Sequence, residues 1–252
     1  MLGCRPVASP IDPKIKLTKL AGEKVDRERY QRLVGRLIYL THTRPDISFA
    51  VSVVSRYMHD PRKDHMDAVY HILRYLKGAL GKGLIFRKHG HFNIEGYCDS
   101  DWASCADDRK STSGYCMFVG GNLVSWKSKK QSVEQGQQQK QEYRVIVVGV
   151  VEMLWLRTLQ IELKMNQESQ MRLWCDNKSA ISIANNPVQH DRTKHIEIDR
   201  FFIKEKLDSG ILKWSHVSTE DEVADCLTKG LGPVSLSRLC DKMGLVDIFR
   251  PS

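Results

Sequence analysis

Apolar residues recur at helical spacing through the first third of the chain and at strand-like spacing after it. Residues 28–42 place Tyr30, Leu33, Val34, Leu37 and Ile38 on one face, which predicts an amphipathic helix. Pro45 suits a first helical position, and Asp46 to Met58 continues with Ile47, Ala50, Val51 and Val54 until Asp60-Pro61 breaks it. A third helix over 64–77 carries Met66, Val69, Ile72, Leu73 and Leu76 and stops at Gly78. Residues 1–26 hold Pro6, Pro10 and Pro13 with little periodicity and read as extended.

After Gly83 the period changes. Leu84-Ile85-Phe86 and Asn93 to Cys98 read as strands. Gly114–Val119 and Leu123–Lys127 read as two more, joined by the hairpin signal Gly120-Gly121-Asn122. Residues 138–163 read as a long helix, although Val145 to Val151 is rich in β-branched residues. Then follow a strand at Met171–Cys175, a short helix at Lys178–Ala184 closed by Asn186-Pro187, and a helix at Ile196–Leu207 closed by Gly210. Ile211–Val217 reads as a strand and Thr219–Lys229 as a helix, with Thr219 or Ser218 as cap and Glu222 in a capping-box arrangement. From Asn93 onward the order β-β-β-α-β-α-α-β-α implies an α/β domain with a mixed sheet. No internal repeat is visible, although Gln135–Gln141 is rich in Gln.

A chain of 252 residues has room for one large domain or two small ones. No stretch approaches the roughly 18 apolar residues a membrane span needs. The formal charge of +9 suggests a polyanionic partner, and its distribution sharpens that. Residues 1–92 hold 18 Lys and Arg against 8 Asp and Glu, a net of +10, whereas residues 93–252 hold 21 against 22, a net of −1. This shift marks a boundary near residue 92. It divides the chain into a basic helical segment (1–92), an α/β domain (93–232) and a tail with a short helix (233–252). The seven cysteines, Cys4, Cys98, Cys105, Cys116, Cys175, Cys226 and Cys240, include no C-x-x-C pair. A zinc site is therefore not expected, and the thiols read as buried and reduced, in an intracellular (cytoplasmic or nuclear) rather than secreted protein. The N-terminus shows no secretory signal.

Four carboxylates stand out by position. Asp99 follows Ile94-Glu95-Gly96-Tyr97-Cys98, and Asp176 follows Leu173-Trp174-Cys175, so both sit at strand ends, where open α/β sheets build their sites. A turn or cap role is the alternative for each. Glu142 shares a helix face with Ile146, Val150 and Met153, where a carboxylate is costly unless paired or metal-bound. Asp225 is flanked by Val223, Ala224, Cys226 and Leu227 near a helix start. Together, two acids at strand ends and two on helices can converge into an oxygen cage suited to Mg²⁺, and two such ions can drive phosphodiester cleavage.

Several runs resemble the C-terminal part of the Pol polyprotein of copia-type retrotransposons. They are Tyr30–Leu40, Thr43–Ile47, Gly96–Ala103, Ser111–Tyr115, Ser125–Gln131, Leu154–Arg157, Cys175–Ala180, Arg192–Ile196 and Ala224–Lys229, in order along nearly the whole chain. The resemblance implies a ribonuclease H-like mixed five-stranded sheet with flanking helices, preceded by a small helical segment. It implies cleavage of RNA in RNA–DNA hybrids, with Asp99, Glu142, Asp176 and Asp225 as both catalytic residues and ligands of two Mg²⁺ ions, Mn²⁺ being an alternative. Residues 1–92 resemble the end of the reverse transcriptase region, which would explain their basicity as template-primer contact. The implied partners are the hybrid and the remaining Pol domains, with no membrane. The polymerase's Tyr-x-Asp-Asp motif does not occur, and nothing resembles the integrase zinc motif or the protease.

The chain departs from the family's pattern at one place. Where the family has a Ser-Ser-Ala-Glu-Ala-Glu-Tyr-like run, this sequence has Gln137-Gln138-Gln139-Lys140-Gln141-Glu142-Tyr143. A displaced Glu142 would slow the reaction, so a catalytically degenerate remnant that binds nucleic acid without turnover stands as the alternative. Arg192, Lys194 and His195 are candidates for contact with substrate phosphate, and His216 for proton shuttling or product release. Trp102 and Trp126 read as core or sheet-face aromatics, with base stacking as the second reading. Asp101, two residues beyond Asp99, is an alternative ligand.

Overall fold

The computed structural model describes residues 3–19, 22–101, 111–130, 138–165, 169–176 and 194–249, with residues 138–142 and 194–197 described by their backbone. The expected helix at 178–184, Trp102, Cys105 and Arg192 lie outside these residues.

The N-terminal helices are α1 (Arg27–Leu40), α2 (Ser48–Ser55, led by a 3₁₀ turn at Pro45–Ile47) and α3 (Lys63–Lys77). Asp26 caps α1 by accepting from the Arg29 N–H at 3.0 Å, and Tyr30, Val34 and Leu37 face inward as their spacing predicts. The Thr43–Ile47 run has a structural task. Arg44 forks onto Asp46 through Nε and Nη2 at 2.9 and 2.8 Å and donates from Nη1 to the Ala79 carbonyl at 3.0 Å, while Tyr75 donates to Asp46 Oδ2 at 2.6 Å. All three side chains are buried, so the pair is held by hydrogen bonds on every side that a buried charge requires. The N-terminal stretch, expected to be extended, carries bends and turns instead, one of them closed by the Ile15 N–H on Asp12 O at 3.1 Å, and is tied down by Tyr57 Oη donating to Leu17 O and by His65 Nε2 at 2.9 Å from Thr18 O.

The main sheet has five strands in the order β4-β3-β2-β5-β6: β2 (Ile94–Asp101), β3 (Thr112–Val119), β4 (Asn122–Lys130), β5 (Met171–Cys175) and β6 (Leu212–His216). β2, β3 and β4 run antiparallel, and β5 and β6 continue parallel from β2. This is the mixed five-stranded sheet that the sequence implies. Gly120 and Gly121 turn the β3–β4 hairpin with φ of 56° and 74°, values that favour glycine. The strand expected at Leu84–Phe86 forms instead as β1 (Lys82–Leu84). It stays out of the main sheet and pairs antiparallel with β7 (Leu245–Asp247). Between β6 and β7 lie α6 (Asp225–Thr228) and α7 (Pro233–Lys242). The helix expected over Thr219–Lys229 is broken into a 3₁₀ turn at Thr219–Asp221 and the single turn α6, and Ser218 makes no side-chain cap.

Both faces of the sheet are covered. On one lies α4 (Gln138–Glu162), with α5 (Lys194–Asp208) beside it. Tyr143, Ile146, Val150, Met153 and Leu156 of α4 are buried at helical intervals, so tertiary burial outweighs the weak helix propensity of its Val-rich stretch. Gly149 sets the approach of helix to sheet. A Cβ there would run into Cys98 Sγ and come within 3.3 Å of Met117 Cε. On the other face, one apolar cluster takes Tyr30, Val34 and Ile72 from the N-terminal helices, Cys116, Phe118 and Leu123 from the sheet, and Leu227, Leu239 and Leu245 from the C-terminal part. The core therefore runs across residue 92, and the tail returns to the helices. Trp126 acts as the sheet-face aromatic, donating from Nε1 to Thr41 O at 2.9 Å.

Two outcomes follow from this packing. Gly149→Ala is expected to destabilise by about 1–3 kcal/mol through overpacking, despite alanine's better helix propensity, and Gly149→Ala/Cys98→Ala to recover part of it in urea titrations. Leu227→Ala is expected to cost about 2–5 kcal/mol. Because the cluster is shared, that variant should still melt in one calorimetric transition; two separate transitions would show helices and sheet unfolding independently.

Candidate metal-dependent active site

The site is assembled at one end of the sheet. Asp99 lies in β2, two residues before the strand's last residue, Asp101, rather than after the strand. It pairs with Gly114 of β3, which pairs with Ser128 of β4. A Cβ on Gly114 would stand 2.7 Å from Leu227 Cβ and 3.0 Å from Thr228 Cγ2, so glycine there lets α6 lie directly on the sheet. Ser128 then donates to Leu227 O at 2.6 Å and holds it down. The result carries Asp225, Thr228 and Lys229 over to Asp99. Thr228 donates its hydroxyl to Asp99 Oδ2. Lys229 Nζ stands 2.8 Å from Asp225 Oδ1 and 3.6 Å from Asp99 Oδ2. Asp176 follows β5 and accepts from Thr219 Oγ1 at 3.2 Å.

The charges of Asp99 and Asp176 both reach the Asp225 carboxyl. Burial pushes the Asp225 carboxyl up from 3.8 to about 7; Asp99 and Asp176 add to this, against the opposing pull of Lys229. Glu222 is fully buried and is raised well above the usual range by burial, with Asp99, Asp225 and Asp176 adding to it. Its Oε1 accepts from the Ala224 N–H at 3.1 Å. Burial pulls the Lys229 ammonium down, but Asp99, Asp225 and Asp176 overcome that and raise it on balance.

Asp99 and Asp225 are thus brought together around Lys229, and the charge of Asp176 adds to the rise of the Asp225 carboxyl. The backbone of Glu142 lies on α4, one turn before the buried Ile146; its side chain is outside the described residues. Among the described residues, no three His, Cys, Asp or Glu side chains form a ready metal cage. The donors still suit a hard cation: they are carboxylate oxygens, and an ammonium already stands between two of them. His216 is exposed and ends β6 opposite Cys175, the residue before Asp176. Lys194 and His195 open α5, with their side chains outside the described residues. Asp101 lies beyond Asp99 in the same strand. Lys229 and Thr228 carry no expected role in the sequence, and Glu222 is expected only in a capping box; the four-residue spacing of Asp225 and Lys229 is the one sequence signal for their ion pair.

No protein-family model matches the chain. It is 39% identical over 249 residues, 98% of its length, to the retrovirus-related Pol polyprotein from transposon RE2 of Arabidopsis thaliana. It is 36% identical over 251 residues to the corresponding polyprotein from transposon TNT 1-94 of Nicotiana tabacum. It covers 17% and 19% of those relatives' lengths. Among solved structures, an N-terminal RNase H domain from Mycobacterium tuberculosis superposes on 60% of the chain, and 97% of that domain, at 10% identity and a TM-score of 0.38. The strand order and direction seen here define a ribonuclease H-like α/β fold. Along 98% of its length the chain is similar to the copia-type retrovirus-related Pol polyproteins, of which it corresponds to one stretch.

The raised Asp225 pKa carries a sign that can be measured. Below about pH 4 the carboxyl is protonated folded and unfolded and contributes nothing. Between about 4 and 7 the unfolded chain releases the proton first, so stability falls with rising pH, and above 7 the loss is complete. Thermal melts without metal are expected to show this decline, and Asp225→Asn to flatten it. An equal slope in the variant would assign the effect elsewhere.

Proposed function

We propose that the chain hydrolyses the RNA strand of RNA–DNA hybrids as a ribonuclease H-type endonuclease within a retrotransposon Pol protein. The observation that carries the reading is the meeting of Asp99 and Asp225 at the sheet's end with the Lys229 ammonium between them, while Asp176 follows β5, the strand beside β2. The Pol relatives and the fold support it. In this reading Asp99, Asp176 and Asp225, with Glu142 from α4, hold two Mg²⁺ ions, or Mn²⁺ in their place. Bound there, such ions supply a Lewis acid that lowers the pKa of an attacking water and offsets charge on the leaving oxygen.

The chain's own residues provide the rest. Thr228 and Thr219 fix the rotamers of Asp99 and Asp176 by hydrogen bonds, so the carboxylates are oriented before substrate arrives. The burial of Asp225 keeps water from screening the site. In this reading the proton shuttle is His216, which is exposed beside the strand end that carries Asp176. Arg192, Lys194 and His195 supply phosphate contacts, and the net +10 of residues 1–92 supplies long-range attraction for the hybrid. The remaining Pol domains are the natural neighbours of this stretch.

Labelled RNA–DNA hybrid incubated with the purified chain and Mg²⁺ provides the test. Wild type is expected to cut the RNA strand. Asp99→Asn and Asp176→Asn are expected to lose about a hundredfold or more, the scale of several kcal/mol of transition-state stabilisation. Wild-type cleavage no faster than that of Asp176→Asn would sink the nuclease reading. Salt-dependent hybrid binding without turnover would establish the degenerate remnant instead.

A further inference from the structure

Lys229 stands where the proposed chemistry wants a divalent ion. Its Nζ is 2.8 Å from Asp225 Oδ1 and 3.6 Å from Asp99 Oδ2. The two carboxylate side chains are only 8% and 10% exposed, whereas Lys229 is 31% exposed. Two nearly buried carboxylates cannot be left facing each other uncompensated, because each lacks water to screen it. The ammonium supplies that compensation from within the chain. The same position makes it an obstacle. A divalent cation drawn to Asp99 and Asp225 must come within a few ångströms of the ammonium, where like charges repel strongly at a half-buried site.

The local build allows Lys229 to move. Its backbone N–H is anchored to Asp225 O at 3.0 Å, just past the end of α6, so the main chain stays in place. The four-carbon stem is flexible, and its exposed part opens to solvent. Asp99 keeps the Thr228 hydroxyl when the ammonium leaves. The site is thus held together by one charged group that can leave and one neutral group that can stay.

We propose that Lys229 is the built-in counter-cation of the acid cluster: it holds Asp99 and Asp225 together in the metal-free protein and competes with the divalent ion for the same carboxylates. The inference rests on the reading that these acids bind metal, and it goes beyond that reading by giving the site an internal competitor. Affinity for Mg²⁺ is then set by an exchange of cations rather than by carboxylates alone. Lys229 acts as a positioning residue, not as a participant in the bond-breaking step.

The test uses the full 252-residue chain, calorimetric titration with Mg²⁺ alone, and thermal melts without metal. Lys229→Met keeps the stem and removes the charge. It is expected to lower the metal-free melting temperature and to tighten the Mg²⁺ dissociation constant about tenfold, as the loss of one nearby like charge implies. Lys229→Arg, which keeps the charge, is expected to stay within about twofold of wild type in the titration. A Mg²⁺ affinity that is unchanged or weaker in Lys229→Met overturns the inference. Should that variant not fold, Lys229→Gln is titrated against the same criterion. In wild type, ¹⁵N-lysine spectra should show the Lys229 ammonium resonance moving on Mg²⁺ addition, and a resonance that does not move also overturns it. The hybrid-cleavage assay separates the two readings. Tightened Mg²⁺ binding in Lys229→Met with no wild-type cleavage leaves this inference standing and removes the nuclease. Wild-type cleavage with unaltered Mg²⁺ affinity in Lys229→Met does the reverse.

Discussion

Negative charge gathered at one end of the sheet is the constraint to which the rest of the molecule responds. The charges of Asp99 and Asp176 add to the rise of the Asp225 carboxyl, and Glu222 is buried beside them. Such a cluster is unfavourable by itself, since burial removes the water that would screen it. It persists because Lys229 supplies charge, Thr228 and Thr219 supply hydrogen bonds, and the backbone behind them is held by packing that does not depend on the charges.

That packing is specific about where backbones touch. Gly114 and Gly149 are two such contact points: one admits α6 to one face of the sheet, the other admits α4 to the opposite face. Each brings an acid-bearing helix to the sheet at a spacing that a side chain larger than hydrogen would increase. The N-terminal helices take part in the same construction. Leu227, beside Asp225, belongs to the apolar cluster that includes Tyr30 and Ile72, so the basic helical segment supports the element that carries an acid. The contrast of +10 and −1 between the two parts describes their surfaces; their interiors are continuous.

Much of the fold was legible in the chain. The strand at Met171–Cys175 was placed to the residue, and the long helix ends at Glu162 where 163 was expected, because long periodic runs leave few alternatives. The differences lie where tertiary burial and pairing override the local pattern. The Thr219–Lys229 stretch contains good helix signals, yet it breaks so that Glu222 can be buried with its Oε1 on the Ala224 N–H. β1 lies two residues earlier than its apolar run, because its partner β7 comes from the far end of the chain and determines the register. At the site, Asp99, Asp176 and Asp225 are candidates legible from the sequence, whereas Lys229 is not, because its contact with Asp99 spans the fold.

The sequence by itself determined the elements, the charge division, the resemblance to the Pol polyproteins and the identity of the candidate acids. Each of these is written in residue type and short-range spacing. Only the tertiary structure decided that the core crosses residue 92, that a glycine in β3 makes room for α6, and that Lys229 stands between Asp99 and Asp225. The physical reason is the same in all three cases. Close contacts between residues separated by about a hundred positions or more depend on which faces are buried together, and burial is a property of the assembled chain rather than of any window along it.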